Sequence, residues 1–191
     1  MQTLISLLQY TFGLPNSVST QIEDRFQFIE INKGDLFLSE GTLSDAFLFL
    51  ASGFMRSYLF DTEGNEVTIQ FYSEGSVVFE AASFFQHKTS EENIQALADC
   101  TGWILTFDQL NNLFHALPEF REAGRAMLVK TLVGLKMRTI SMINQTAEQR
   151  YAQLLHLNPE IIQQAPLKYI ASYLGITDTS LSRIRKDFLQ K

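Results

Sequence analysis

Glycine turns divide residues 28–107 at close intervals: Lys33-Gly34-Asp35, Ser39-Glu40-Gly41, Ser52-Gly53, Glu63-Gly64-Asn65 and Glu74-Gly75. Between them lie Ala46–Leu50, Met55–Phe60 and Val67–Tyr72, runs rich in the aromatic and β-branched side chains that pack on pleated surfaces. Asp61-Thr62-Glu63-Gly64-Asn65, between two such runs, has the composition of a hairpin loop. The pattern is that of an antiparallel roll or barrel, and it contains no exact internal repeat.

The periodicity changes at Pro118. Glu119–Asn144 has no proline and few glycines, and Leu128, Leu135 and Met142 recur every seven positions, with Leu132 and Thr139 between them. This spacing predicts a long helix with a seam suited to an identical helix, interrupted by Thr139 and Gly134. A helix packed only on its own β domain is the alternative. Such a helix spans roughly 35 to 40 Å, more than one small domain needs, which favours an interdomain or intersubunit spine.

In Thr146–Lys191 the helical patterns shorten. Arg150–Leu157 places Tyr151, Leu154 and Leu155 on one face, and Pro159 and Pro166 punctuate the chain after it. Leu167–Leu174 then reads as an amphipathic helix ended by Gly175, and a second helix begins near Asp178. Ile170, Ala171 and Leu174 are expected to pack against Leu181, Ile184 and Phe188, with Gly175 permitting the turn and Thr177 capping the second helix. This is a helix-turn-helix pattern. Its polar face carries Asp178, Thr179, Ser182, Arg183 and Lys186, hydroxyls interleaved with cations as suits a major groove. The fold class is therefore α+β: an N-terminal antiparallel β-roll of the double-stranded β-helix or jelly-roll kind over residues 1–117, a long dimerisation helix over 118–145, and a helical helix-turn-helix domain over 146–191.

Charge follows the same division. The net charge is −6, yet residues 146–191 hold six Lys+Arg against four Asp+Glu, while the preceding residues hold nine against 17. Arg183, Arg185, Lys186 and Lys191 cluster where a phosphate-facing surface is expected. The longest purely apolar run, Ala46–Ala51, is far shorter than a membrane span, and Met1–Tyr10 lacks the features of a secretory signal, so a cytoplasmic protein is expected. The one cysteine, Cys100, cannot by itself hold an iron-sulfur cluster or zinc. His87, His115 and His156 are isolated, and no Walker loop, nucleophile elbow or dinucleotide-binding glycine set occurs. No catalytic residue, metal site or cofactor is expected; a metal-holding, cupin-like barrel enzyme is the disfavoured alternative.

Ala165–Lys186, APLKYIASYLGITDTSLSRIRK, resembles the helix-turn-helix of Crp/Fnr-family regulators. Lys33-Gly34-Asp35-Leu36-Phe37 with Glu40-Gly41, and Phe49-Leu50-Ala51-Ser52-Gly53, resemble the first turns of that family's cyclic-nucleotide-binding β-roll. The resemblance runs along essentially the whole chain in one order: β-roll, long helix, DNA-binding domain. It implies a homodimer on double-stranded DNA reading an inverted repeat, with RNA polymerase and a small-molecule effector as further partners and no membrane. By the same resemblance Asp178, Thr179, Ser182 and Arg183 face base edges, Arg183 foremost. Lys168, Thr177, Ser180, Arg185 and Lys186 meet phosphates, and the dimer interface comprises Leu128, Leu132, Leu135, Thr139 and Met142. Asp178 departs from members with arginine there, so a different half-site preference is implied.

The sensor resembles the family less closely. Val77–Phe84 stands in place of the phosphate-binding cassette, and Glu80 matches the carboxylate that holds a ribose hydroxyl in cyclic-AMP binders. Ungapped counting from Glu80 puts Ser90 where those binders carry an arginine, and by the same resemblance the long helix offers Leu135 and Lys136 where they present hydroxyls to adenine. A buried phosphate without a cationic partner is costly. Cyclic AMP is thus disfavoured, and the expected effector pocket, for an unidentified ligand, comprises Glu80, Ser83, Thr89, Ser90, Leu135 and Lys136. A ligand there is expected to shift the long helix and with it the recognition helices. Two alternatives stay open: a cyclic-nucleotide-responsive regulator, and a module whose helix-turn-helix meets another protein. Effector, operator, regulated genes and the choice between activation and repression are not legible.

Overall fold

The structure, a computed structural model, describes residues 3–189, with side chains as far as Phe188. Two short helices, α1 (Leu4–Phe12) and α2 (Asn16–Ile22), lead through a 3-10 turn into the strands. These are β1 (Gln27–Ile31), β2 (Leu36–Leu38), β3 (Ala46–Ser52), β4 (Met55–Phe60), β5 (Glu66–Tyr72), β6 (Val77–Val78), β7 (Asn93–Ala96) and β8 (Cys100–Thr106), with helix α3 (Ala81–Gln86) between β6 and β7. They form two four-stranded sheets, ordered β1-β8-β3-β6 and β2-β7-β4-β5, and every pairing is antiparallel. The expected antiparallel roll is present.

Strand alternation divides its apolar residues between two cores. Leu48, Leu50, Met55, Tyr72, Val78 and Ile94 fill the space between the sheets. Phe47 and Phe49 point the other way, into a cluster with Leu7, Leu8, Ile22 and Phe84. Gly102 on β8 is required by this closeness, since a Cβ there would stand 2.4 Å from the Phe49 carbonyl oxygen.

Helix α4 (Phe107–Ala116) opens with a capping box between Thr106 and Gln109. It turns at Pro118 into α5 (Pro118–Asn144), 27 residues long. One face of α5, with Phe120, Ala123 and Met127, packs on the β-roll. The remainder is largely apolar and open: Leu132 is 67% exposed and Ile143 80%. Thr146 and Gln149 form a second capping box at α6 (Ala147–Leu157), followed by α7 (Pro159–Gln164), α8 (Leu167–Tyr173) and α9 (Asp178–Leu189). Tyr151, Leu154, Ile161, Ile170, Leu174, Leu181 and Ile184 form their core, which Phe54 of the β3–β4 turn and Phe71 of β5 join. The fold is of the α+β class.

Candidate nucleic-acid interface and effector cavity

The turn between α8 and α9 depends on Gly175, whose φ of +67° is a left-handed conformation. A Cβ there would also meet Met142 of α5 at 2.6 Å. Thr177 caps α9, its Oγ1 accepting the Ser180 amide at 3.2 Å and standing 3.0 Å from Ser180 Oγ. Ile170, Ala171 and Leu174 pack against Leu181 and Ile184, and the Phe188 ring meets Tyr151 edge-on at 5.4 Å.

That packing turns Asp178, Thr179, Ser182, Arg183 and Lys186 to solvent, with Ser180 exposed beside them and Arg185 half-buried. Among the described residues no carboxylate pairs with Arg183, Arg185 or Lys186. Lys168, on α8, is exposed with its ammonium 4.6 Å from the centre of the Tyr169 ring. Lys191 lies outside the described residues. Unpaired cations and short hydroxyls on a projecting helix can take phosphate oxygens and base edges without first breaking internal contacts.

A cavity of about 790 Å³ opens where this domain, α5 and the β-roll meet. Tyr72, Glu80 and Glu92 form its β-roll wall, Met127, Lys130, Leu135 and Arg138 its α5 wall, and Arg150, Leu157 and Tyr173 its floor on the helix-turn-helix domain. The Glu80 carboxylate is already engaged: it caps α3, accepting the amides of Ala82 at 2.9 Å and of Ser83. Burial raises the Glu92 carboxyl above its usual range, and Glu80 and Glu91 add to the rise. Burial also raises the Tyr72 hydroxyl, with Glu92 as a second cause. Arg138 donates to the Tyr173 carbonyl at 3.1 Å and lies over that residue's ring, and Arg150 donates to the Leu174 carbonyl at 2.8 Å. Among the described residues Lys130 has no ion-pair partner.

Of the residues expected around an effector, Glu80 and Leu135 line this cavity. Ser83, Thr89, Ser90 and Lys136 do not. The buried Ser83 hydroxyl accepts the Ser44 amide at 2.7 Å, Thr89 bridges to Leu43, and Ser90 closes a local turn with Glu92 through bonds of 2.8 and 3.0 Å. Lys136 lies on the exposed side of α5. The hydroxyls of Ser83 and Ser90 are thus taken up by neighbouring backbone groups outside the cavity. Tyr72, Glu92, Lys130, Arg138 and Tyr173 were not anticipated, since the cavity arises where three distant segments meet.

On α5, Leu128, Leu132 and Thr139 of the expected seam are exposed, while Leu135 and Met142 also border the cavity. A second exposed apolar row, Val129, Val133, Ile140 and Ile143, runs beside them.

Residues 28–116 match the cyclic nucleotide-binding domain. The fumarate and nitrate reduction regulatory protein of Yersinia pestis is 25% identical over 166 residues, covering 81% of this chain; the chain spans 65% of that protein's length. The protein of the same name from Vibrio cholerae is 24% identical over 94% of this chain and 76% of its own length. Among solved structures, FixK2 from Bradyrhizobium japonicum superposes with a TM-score of 0.74 at 17% identity, covering 86% of this chain and 85% of its own. The fold, the matched domain and relatives that extend through the long helix into the helix-turn-helix agree: residues 28–116 form a cyclic nucleotide-binding domain, and the chain as a whole is similar to Crp/Fnr regulators.

Proposed function

We propose that the chain is a DNA-binding transcription regulator, not an enzyme, that acts in the cytoplasm as a homodimer on an inverted repeat. The observation that carries this reading is the exposed polar row of α9, where Arg183 and Lys186 stand unpaired among Thr179 and Ser182. Arg183 is assigned to a base edge, where an arginine fork can take guanine O6 and N7 together. Asp178 excludes guanine and phosphate from its own vicinity. Lys168, Thr177, Ser180, Arg185 and Lys186 are assigned to the phosphates, Thr177 and Ser180 while retaining their capping pair. Two copies joined along α5 would set their recognition helices about one DNA turn, or 34 Å, apart. RNA polymerase is the proposed further partner.

The cavity between the β-roll and α5 is assigned to a small-molecule effector other than a cyclic nucleotide. Its β-roll wall carries the carboxylates of Glu80 and Glu92, which disfavour a cyclic phosphate against that wall.

Selection from random duplexes, followed by anisotropy titrations with wild type and Arg183→Ala, tests the reading. Enrichment of an inverted repeat is expected, with Arg183→Ala losing about 1 to 3 kcal/mol of discrimination at one position per half-site. Equal affinity and site choice in the variant would refute groove reading and favour a protein partner for α9.

A further inference from the structure

Strand β5 is the outer strand of its sheet, so its free edge presents backbone groups that another strand or water must satisfy. Helix α8 covers this edge. Ser172 Oγ accepts the Thr68 amide at 3.2 Å and stands 3.1 Å from Thr68 Oγ1, and the Tyr173 ring meets Phe71 at 5.2 Å.

Next to these contacts is the most unusual side chain of the fold. Arg56, on β4, is fully buried, with its guanidinium carbon 4.1 Å from the centre of the Tyr58 ring and 3.4 Å from that of Tyr169 on α8. Glu66 and Gln95 accept from its Nη2, the Gln95 bond being 3.0 Å, while Nη1 has no partner. Burying a cation is costly, and aromatic faces offset part of that cost only while they remain stacked on it. One of the two faces belongs to the helix-turn-helix. Withdrawing α8 therefore removes a stacking partner from Arg56, the acceptor from the Thr68 amide and the ring beside Phe71 together.

We propose that Arg56 is a positioning residue: stacked between Tyr58 and Tyr169, it seats α8 on β5 and so fixes the orientation of α9 relative to the β-roll. Strand β5 is then the element through which the cavity reaches α9, because Ile69, Gln70, Phe71 and Tyr72 line the cavity on the same strand whose Thr68 is bonded to α8. This route is direct and does not require a shift of α5. It rests on the DNA-binding reading of α9, although Arg56 itself touches no DNA.

Hydrogen exchange on the full chain tests the seating without DNA, comparing wild type, Arg56→Met, Tyr169→Ala and Tyr169→Phe. Exchange through Leu167–Tyr173 and at Thr68 should quicken at least tenfold in Arg56→Met and Tyr169→Ala and stay near wild type in Tyr169→Phe, which keeps the aromatic face. Unchanged exchange in the first two variants overturns the proposal. Should Arg56→Met not fold, the two Tyr169 variants decide. Selection on inverted half-sites joined by spacers of varied length tests the consequence. The half-site sequence should persist in Tyr169→Ala while its single preferred spacer gives way to several; a wild-type spacer preference in that variant overturns the positioning role. Failure of wild type to enrich any DNA would overturn the DNA-binding reading, with the exchange result still judging the seating of α8.

Discussion

Individual side chains divide into those whose role is set by their neighbours in the chain and those whose role is not. Thr177 and Gly175 belong to the first group, because capping and a left-handed turn are local events. Arg56 and Tyr169 belong to the second. They are 113 positions apart, and nothing in Met55–Phe60 distinguishes a buried arginine from a solvated one on a strand. Glu92 is similar: a carboxylate within Ser90-Glu91-Glu92-Asn93 reads as surface, yet folding half-buries it and raises its pKa. A carboxyl whose pKa is higher folded than unfolded leaves stability intact below the ordinary carboxylate range and withdraws it as pH rises through the folded value. Glu92→Gln should therefore melt with wild type at about pH 3 to 4 and above it at pH 7. Parallel melting curves across that span would show that Glu92 is solvated in the folded protein.

The elements were legible wherever periodicity or punctuation was strong. Glycine turns marked the strand ends, and Pro118 stands at the first position of α5, where its missing amide costs no helical bond. What a seven-residue count could not supply was direction. It identified the row Leu128, Leu132, Leu135, Thr139 and Met142, but a row turned toward the chain's own β-roll repeats with the same spacing as one turned toward a partner. Leu135 and Met142 border the cavity, and the adjoining row Val129, Val133, Ile140 and Ile143 widens the open apolar face. Leu132 lies on this face at 67% exposure, so Leu132→Lys should leave the monomer folded and shift sedimentation from dimer to monomer at micromolar concentration. An unchanged sedimentation coefficient would move the contact to another surface.

At the scale of the whole molecule, charge and topology act together. The chain has a net charge of −6, and α9 turns Arg183 and Lys186 to solvent without carboxylate partners, so on the proposed reading attraction to DNA is strongest at that helix and orients the approach. The logarithm of affinity should fall steeply with the logarithm of salt concentration, and Lys186→Ala should reduce that slope by about 2 for a dimer, at ~0.9 per phosphate contact. An unchanged slope would place Lys186 away from the backbone. The order β-roll, long helix, helix-turn-helix was legible because each part has its own periodicity. The cavity between them was not, because it exists only once β5, α5 and α8 are assembled.

The covering of β5 by α8 has a consequence unrelated to regulation. A bare outer strand is a template on which a second chain can add its own, and repetition of that step ends in insoluble aggregates. With Ser172 holding the Thr68 amide, the helix-turn-helix domain also ends the sheet. Substitutions that loosen this helix should raise aggregation whatever they do to DNA binding. Selection against aggregation can therefore maintain the contact independently of any role in DNA recognition.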